Sequence, residues 1–309
     1  MRVLVTGCAG FIGSHVTRLL VEEGHTVYGV IQPDESCERI RDVLARLQLI
    51  SLDLVDRAAT RSAVREVRPE CALHLAWYAA PGKYWTAPEN LECVSMSLSL
   101  ASVLAETGCK KMVAAGSCAE YDWDYGFLSE EITPVRPRTL YGACKNATRQ
   151  ILQAYCEQVS MSFAWTRFFY LYGPGEAKDR LVPSVTLALL EHQAAKCTNG
   201  EQIRDFLHVK DVASALWAVA RSRLVGAVNI GAGQPVKIRT VAETIARLIG
   251  GKGRVEFGGI PSDAHASPFL VADVRKLLRE TGWTPSLTLD EGLRQAVDWW
   301  RGELESAVP

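Results

Sequence analysis

The sequence predicts an α/β protein built on a doubly wound parallel sheet, followed by a smaller C-terminal α/β lobe. Short apolar runs alternate with segments of helical length up to about residue 172. Such alternation is typical of βαβ units, whose buried parallel strands are continuously apolar. Beyond residue 172 Gly, Pro and polar residues interrupt shorter helices. We therefore expect a sheet domain over residues 1–172 and a lobe over residues 173–309, with a return segment near 205–232 that rejoins the sheet.

The elements of the sheet domain follow one another in a regular order. Strands are predicted at "RVLVT", "TVYGVI", "QLISLDL", "CALHLAW", "MVAAGS" and "SFAWTRFF". Helices are predicted at "SHVTRLLVEEG", "RAATRSAVREV", "LECVSMSLSLASVLAE" and "CKNATRQILQAYCEQ". The lobe has helices at "TVAETIARLIG" and "DEGLRQAVDWWRGEL", and the return segment includes "FLHVKDVASALWAVA" and "AVNIGAG".

Composition excludes several classes of protein. The chain has 309 residues, 48% of them hydrophobic, and a formal net charge of −1, so neither nucleic acid nor an acidic membrane surface is an expected partner. No apolar run is long enough to span a membrane, and a cytoplasmic location is expected. Nine cysteines are scattered without a C-x-x-C pair, which predicts reduced thiols and no metal site.

The first strand leads into three glycines in "VTGCAGFIGSHV", namely Gly7, Gly10 and Gly13. Glycines at a strand-to-helix junction allow a pyrophosphate to approach the helix N-terminus, where the backbone N–H groups and the helix dipole favour anions. The pattern therefore predicts a Rossmann-type dinucleotide site. The alternative is a tight turn without a ligand.

The end of the second strand carries the information on cofactor choice. NAD-binding versions place an acid there for the ribose hydroxyls, whereas this chain has Ile31 and Gln32. NADP(H) is therefore expected, with NAD(H) possible, and Arg39 is a candidate contact for the 2′-phosphate. After the third strand, Asp53 and Leu54 are expected to border the adenine, although Asp53 could equally be a helix N-cap.

The segment "YGACK" places Tyr141 and Lys145 four residues apart, on one face of a helix. A neighbouring ammonium can stabilise a phenolate, and lowering a tyrosine pKa by roughly three units requires about 4 kcal/mol of such stabilisation. Ser117 ends the strand "VAAGS" and is expected to face the same helix. These three residues are the candidate catalytic group.

Five ordered motifs together resemble the extended short-chain dehydrogenase/reductase family of NAD(P)-dependent nucleotide-sugar epimerases, dehydratases and ketoreductases. The motifs are "VTGCAGFIGSHV", "AAGSCAEY", "YGACK", "RFFYLYGPG" and "IRDFLHVKDVASAL". The resemblance implies that Tyr141 is the general acid/base, that Lys145 bonds the nicotinamide ribose and that Ser117 bonds the reacting sugar oxygen. It also implies pyrophosphate contacts from the amides of Phe11 and Ile12, a nicotinamide contact from Ala76, and nucleotide-sugar contacts from Arg180, Val182 and Arg204.

Departures from the family pattern narrow the reaction. Ser117, Cys118 and Ala119 stand where 4,6-dehydratases have Thr-Asp-Glu, which argues against a dehydratase. Tyr170 replaces an asparagine that contacts substrate phosphates in many sugar epimerases. The loop at residues 77–90 is rich in aromatic residues and is expected either to wall a partly apolar 6-deoxyhexose or to act as a packed lid; its candidate substrate residues are Trp77, Tyr78 and Lys83.

These observations predict an NADP(H)-dependent reduction of the C4 ketone of a nucleotide-linked 4-keto-6-deoxyhexose. One alternative is a nucleotide-sugar 4-epimerase with tightly bound NAD. Another is a non-catalytic NADP-sensing regulator, although such a protein has no need of Ser117, Tyr141 and Lys145 together. The resemblance also implies a homodimer, in which the helices after the fourth and fifth strands pair across a two-fold axis.

Overall fold

The structure is a computed structural model, and it describes residues 1–250, 253–261 and 267–306. The strands are β1 (Arg2–Thr6), β2 (Thr26–Ile31), β3 (Gln48–Ser51), β4 (Cys71–His74), β5 (Lys111–Ser117), β6 (Phe127–Leu128), β7 (Ser162–Phe168), β8 (Tyr170–Tyr172), β9 (Ala195–Cys197), β10 (Ile203–His208), β11 (Gly226–Ile230), β12 (Pro235–Lys237), β13 (Val255–Phe257) and β14 (Phe269–Ala272). The helices are α1 (Phe11–Glu22), α2 (Arg57–Val67), α3 (Glu89–Glu106), α4 (Leu140–Gln158), α5 (Leu181–Leu190), α6 (Val209–Arg221), α7 (Ile238–Ile249), α8 (Arg275–Thr281) and α9 (Leu289–Ser306).

The large sheet has seven parallel strands in the order β11-β7-β5-β4-β1-β2-β3. The chain order reverses between β1 and β4, so a crevice opens at the carboxyl edge of the sheet between these two strands. The predicted fold class is confirmed. Functional side chains are expected at this edge, because the carboxyl ends of all seven strands meet there.

Helices cover both faces of the large sheet. On one face, α1 and α6 contribute Val16, Leu20, Val212 and Leu216 to a core that also contains Val3 and other strand residues. On the other face the core is filled by residues of α2, α3 and α4, among them Val64, Leu100 and Leu152. Both faces of the strands are therefore buried, which explains their continuous apolar runs.

A second, five-stranded sheet lies beside the first. Its path is β12-β10-β14-β6, and β8 pairs with β10. Strands β6 and β8 belong to this second sheet, although they come before the predicted boundary at residue 172. Strand β11 comes after that boundary and pairs with β7 of the large sheet. Helices α5, α7 and α9 pack around a core that includes Val185, Ile245 and Leu293.

The buried carboxylate of Asp205 in β10 fastens the second sheet to the segment after β11. It accepts hydrogen bonds from the backbone N–H groups of Ala232, Gly233 and Ala272 at 2.7, 2.9 and 3.1 Å. One side chain thereby satisfies three backbone donors where the two sheets meet.

The cysteines are free, as expected, and eight of the nine are buried. They act as small apolar residues of the core. Among the helices within the described residues, none combines the length and apolarity that crossing a membrane requires.

Candidate active site

The turn between β1 and α1 is built so closely that two of its positions accept only glycine. A Cβ on Gly13 would lie 1.9 Å from the carbonyl oxygen of Gly7, and Gly7 itself has a φ of +68°. A Cβ on Gly7 would also lie 3.0 Å from the backbone nitrogen of Ala76. The turn therefore brings the start of α1 against the end of β4, where the resemblance implies the nicotinamide end of a cofactor.

The N-terminus of α1 offers backbone donors to an anion. Gly10 is the N-cap, and within the described part of the chain no side chain caps the first turn. The N–H groups of Phe11 and Ile12 point along the helix dipole at this end. A diphosphate is the kind of group that satisfies them.

The end of β2 carries a carboxylate that comes from the following loop. The backbone N–H of Gln32 donates to Oε2 of Glu35 at 3.0 Å, while Ile31 is buried in the core. Arg39, the expected 2′-phosphate contact, instead donates from Nε to the carbonyl of Gly175 at 2.9 Å. The strand end itself has no acid, but the loop supplies a carboxylate beside it, and one N–H group of Arg39 is already bonded within the protein.

The loop after β3 does not use Asp53 as a helix cap. The N-cap of α2 is Asp56, whose Oδ1 accepts from the N–H groups of Ala58 and Ala59 at 2.9 and 3.0 Å. Asp53 is exposed, and its Oδ1 accepts from the N–H of Val55 at 3.0 Å. Leu54 is buried in the core on the α2 side of the sheet. The alternative of Asp53 as a cap is therefore wrong.

Ser117 lies at the end of β5, in a turn fixed by a buried acid. Its backbone N–H donates to Oε1 of Glu120 at 2.8 Å, and its hydroxyl oxygen accepts from the N–H of Ala119 at 3.1 Å. Glu120 also accepts from Nε1 of Trp165 and Nε of Arg167, at 2.8 and 2.9 Å. Because the oxygen of Ser117 is held as an acceptor, its O–H remains available to donate.

Tyr141, in the first turn of α4, is surrounded by aromatic rings. Its ring meets those of Tyr84, Trp85 and Trp77 edge-on, with centroids 4.9, 5.8 and 6.4 Å away. Its backbone N–H donates to the carbonyl of Trp85 at 3.1 Å. Trp85 in turn meets Trp123, 6.2 Å away between centroids. The ring of Tyr141 is therefore packed among aromatic side chains.

The surroundings of Tyr141 keep its phenol protonated. Burial raises its pKa well above the usual value near 10, and the nearby Ser117 hydroxyl offsets only part of this effect. The lowering of this pKa that we expected from Lys145 is not produced by the protein side chains; it requires a further positive charge, such as that of an oxidised nicotinamide. A protonated phenol is the form that donates a proton.

Lys145 lies one turn further along α4 and is buried. Its Nζ donates to the carbonyl of Ala115 at 2.7 Å and lies 3.6 Å from the ring centroid of Trp77. Burial lowers the pKa of Lys145 to about 7. The ammonium is held 5.8 Å from the ring centroid of Tyr141, close enough to favour a phenolate when one forms.

Asn90 in α3 holds the aromatic loop in place. Its Oδ1 accepts from Nε1 of Trp77 at 2.8 Å, and its Nδ2 donates to the carbonyls of Tyr84 and Ala87 at 2.7 and 2.8 Å. The loop is thus tied at three points, so the aromatic walls are built into the fold.

Two other predicted loop residues lie apart from this cluster. Tyr78 packs against the core on the α3 side of the sheet, and its backbone N–H donates to Sγ of Cys93. Lys83 is exposed. Neither side chain contributes to the aromatic walls around Tyr141 described above.

The second sheet contributes a stacked pair, Tyr170 and Arg204. The guanidinium of Arg204 is buried and lies 5.2 Å from the ring centroid of Tyr170. Burial raises the pKa of Tyr170, and Cys118, two residues before Glu120, adds to this effect. The pair therefore lies next to the Ser117 turn, as the sequence motifs suggest.

Of the two remaining predicted contacts, one reaches the aromatic loop. The guanidinium of the exposed Arg180 lies 5.7 Å from the ring centroid of Tyr84. Val182 is 2% exposed and packs in the C-terminal core with Val185 and Leu189. The structure therefore does not bring the side chain of Val182 to the site, because the first turn of α5 uses it for packing.

Comparison with known proteins identifies the family. A family model described as "NAD dependent epimerase/dehydratase family" matches residues 3–231. The chain belongs to this family. It is 29% identical over 314 residues to UDP-glucuronic acid decarboxylase 1 of Xenopus tropicalis, covering 98% of this chain and 73% of that protein. It is 29% identical over 253 residues to the dTDP-6-deoxy-L-talose 4-dehydrogenase (NAD(+)) of Aggregatibacter actinomycetemcomitans, covering 79% of this chain and 88% of that protein.

A solved structure extends the likeness. MoeE5 in complex with UDP-glucuronic acid and NAD has 31% sequence identity and a TM-score of 0.83, with 98% of this chain and 100% of that chain covered. The residues of the present site fit the dinucleotide on which the family depends. Gly7 and Gly13 let the backbone of the turn pack closely on itself and on Ala76, and the start of α1 has uncapped donors. Within the described ranges, no group of three or more His, Cys, Asp or Glu side chains could hold a metal ion.

Several residues of this family member's site were not predicted from the sequence. They are Glu120, Asn90 and Trp123. The signal for Glu120 is local, since Ser117 and Glu120 have the spacing of a capping box. Asn90 and Trp123 act through contacts that depend on the tertiary fold, so their spacing gives no comparable signal.

Proposed function

We propose that the protein reduces the C4 ketone of a nucleotide-linked 4-keto-6-deoxyhexose. The observation that carries the proposal is the buried phenol of Tyr141, which has the Ser117 hydroxyl as its partner and packs against the rings of Tyr84 and Trp85. The NAD(+)-dependent dehydrogenase that resembles this chain acts, by its name, at C4 of a 6-deoxy sugar, and this likeness supports the same class of reaction.

The chain's own residues supply the proton and the stabilisation of charge. A reduced nicotinamide dinucleotide, NADP(H) or NAD(H), supplies a hydride to C4 of the sugar when bound at the glycine turn. As the carbon–oxygen double bond becomes a single bond, Tyr141 donates its phenolic proton to O4 and Ser117 donates a hydrogen bond to the same oxygen. Lys145 then stabilises the tyrosine phenolate until solvent returns a proton.

The remaining contacts suit the two ends of a nucleotide sugar. The aromatic rings of Tyr84, Trp85 and Trp123 provide an apolar surface for a 6-methyl group. Arg204 is buried and stacked on Tyr170, so it is available to a diphosphate as an oriented guanidinium. Arg180, beside Tyr84, is the candidate for a second phosphate contact.

The experiment uses purified protein with dTDP-, CDP- and GDP-4-keto-6-deoxyhexoses and either NADH or NADPH. Loss of reduced-nicotinamide absorbance, with a new C4 alcohol detected by NMR, is the expected result with at least one sugar. Tyr141→Phe serves as the negative control. If none of these sugars is reduced with either dinucleotide, the proposed reaction is wrong.

A nucleotide-sugar 4-epimerase is the second candidate, because the family includes such enzymes and the same three side chains could remove and return a proton at O4. It predicts that the protein is purified with NAD bound. It also predicts that C4 stereoisomers of a nucleotide hexose interconvert without net consumption of dinucleotide. Reduction and epimerisation are therefore separated by whether the dinucleotide is consumed.

We further propose that the protein forms a homodimer through α3 and α4. Leu98 and Ser102 of α3 and Ile151 and Tyr155 of α4 line a groove between the two helices. Ile151 is 48% exposed. An apolar groove along two parallel-running helices suits pairing with the same surface of a second copy about a two-fold axis.

A further inference from the structure

We infer that Glu35 selects the dinucleotide: its carboxylate replaces the strand-end acid that β2 lacks and makes the site prefer NAD(H) to NADP(H). This inference rests on the proposed dinucleotide site and not on the sugar reaction. It is argued from the backbone path, the position of the carboxylate, and the surrounding charges.

The backbone path returns Glu35 to the strand end. Ile31, the last residue of β2, is 7% exposed and packs in the core, so it offers nothing to a ligand. Asp34 has a φ of +65°, in the left-handed region, and turns the chain back. The N–H of Glu35 then donates to the carbonyl of Gln32 at 3.1 Å.

The side chain completes this return. Oε2 of Glu35 accepts the N–H of Gln32 at 3.0 Å, which places the carboxylate directly beyond the last residue of the strand. Glu35 is half-buried, and the other oxygen, Oε1, remains able to accept further hydrogen bonds. A carboxylate so placed supplies acceptors for the two hydroxyls of an adenosine ribose.

The glycine turn lies beside this carboxylate. The N–H groups of Gly7 and Cys8 donate to the carbonyl of Val30 at 3.0 and 3.4 Å, so the turn rests on the end of β2. Burial raises the pKa of Cys8 to about 12, and the charge of Glu35 contributes to the same shift. The carboxylate and the glycine turn therefore both lie at the end of β2, on Gln32 and Val30 respectively.

Four arginines of this region each contact another group of the protein. Arg39 donates to the Gly175 carbonyl, Arg41 pairs with Glu38, and Arg46 donates to the Val21 carbonyl. Arg18 pairs with Asp42 at 2.6 Å. A 2′-phosphate placed near Glu35 would meet a carboxylate, and like charges at that range repel.

The experiment measures binding of NADH and NADPH by nicotinamide fluorescence in the absence of any sugar. Wild-type protein is expected to bind NADH at least about tenfold more tightly than NADPH. Glu35→Gln removes the charge with little change of shape. It should weaken NADH binding and strengthen NADPH binding, so that most of this preference is lost.

Glu38→Gln is the matched control, because it makes the same charge change three residues away on a side chain that faces Arg41. It should leave the ratio of the two affinities unchanged. Equal or tighter binding of NADPH by wild-type protein would overturn the inference. So would an equal loss of both affinities in Glu35→Gln, since that result means that Glu35 only fastens the loop. Because no sugar is present, neither result depends on whether the proposed reduction is correct.

Discussion

Tyr141 is in contact with three aromatic rings and is the group that we expect to exchange a proton with substrate. Tyr141→Phe removes only the hydroxyl and should lower kcat by about 10²- to 10⁴-fold, because general-acid catalysis contributes that much. Affinity for the dinucleotide, measured by fluorescence, should change little. Tyr155→Phe, on the outer part of the same helix, should keep full activity. Full biological function in Tyr141→Phe would instead favour the non-catalytic sensor.

Lys145 has a charge that burial disfavours, and this makes stability depend on pH. Burial lowers its pKa to about 7 from the ordinary lysine value of 10.5, so between these pH values the unfolded chain binds more protons than the folded one. The free energy of unfolding therefore rises with pH between about 7 and 10.5. Below about pH 7 the full cost of burying the Lys145 charge is present.

The variant Lys145→Met tests this sign without dinucleotide present. Between about pH 7 and about pH 10, the wild type should gain roughly 3 to 4 kcal/mol of unfolding free energy relative to the variant. Urea unfolding at several pH values measures the difference. Lys110→Met, at an exposed lysine, should show no comparable trend. A flat difference for Lys145→Met would mean that the ammonium is well solvated in the folded protein.

The turn at the end of β5 depends on one buried ion pair. Glu120 is 0% exposed and Arg167 2% exposed, and Glu120 also holds the N–H of Ser117. Glu120→Ala leaves the Arg167 charge buried without its partner, so unfolding free energy should fall by about 3 to 5 kcal/mol. Urea unfolding checks this value.

Glu201→Ala is the control for that prediction, because it breaks ion pairs with Lys237 and Arg239 at the surface. It should leave the unfolding midpoint nearly unchanged, since exposed pairs contribute little. A loss in Glu120→Ala no larger than in this control would show that water reaches Arg167. Glu120→Gln should retain more activity than Glu120→Ala, because the amide oxygen can still accept the Ser117 N–H.

The sequence predicts some elements better than others. Elements stabilised by contacts between residues close in the sequence are predicted well, whereas elements that depend on pairing with distant segments are not. The helix predicted at "RAATRSAVREV" is α2, residue for residue, because its periodicity and the Asp56 cap are local. In contrast, β6 has two residues and is a strand only because Phe127 and Leu128 pair with Val271 and Ala272. Such pairing has no local signature.

The same distinction applies to the site. The glycine turn and the spacing of Tyr141 and Lys145 are contained in short segments, and the sequence alone singles them out. The ion pair of Glu120 joins residues 47 positions apart. The Glu35 contact is local, but it depends on a left-handed Asp34 that composition does not predict. The position of the Glu35 carboxylate is therefore not evident from the spacing of residues in the sequence.

At the scale of the whole molecule, the site is assembled from both sheets. Tyr141 and Ser117 follow the carboxyl edge of the large sheet, whereas Tyr170 and Arg204 belong to β8 and β10 of the second. Asp205, adjacent to Arg204, bonds three backbone N–H groups at the junction. The position of Arg204 relative to Ser117 is therefore fixed by the packing of the two sheets and not by a flexible linker.

The proposed dimer surface lies on α3 and α4, away from that junction. Ile151→Arg places a charge in the apolar groove, and burying an unpaired guanidinium against a second copy is costly. The wild type should be a dimer by size-exclusion chromatography with light scattering, and the variant a monomer. Leu278→Arg changes an equally exposed apolar residue, 49% against 48%, on α8, and should remain dimeric. A monomeric wild type would exclude the proposed dimer. A dimer disrupted by Leu278→Arg and not by Ile151→Arg would place the contact elsewhere. Because the active site draws on a single chain, the Ile151→Arg monomer should still bind dinucleotide.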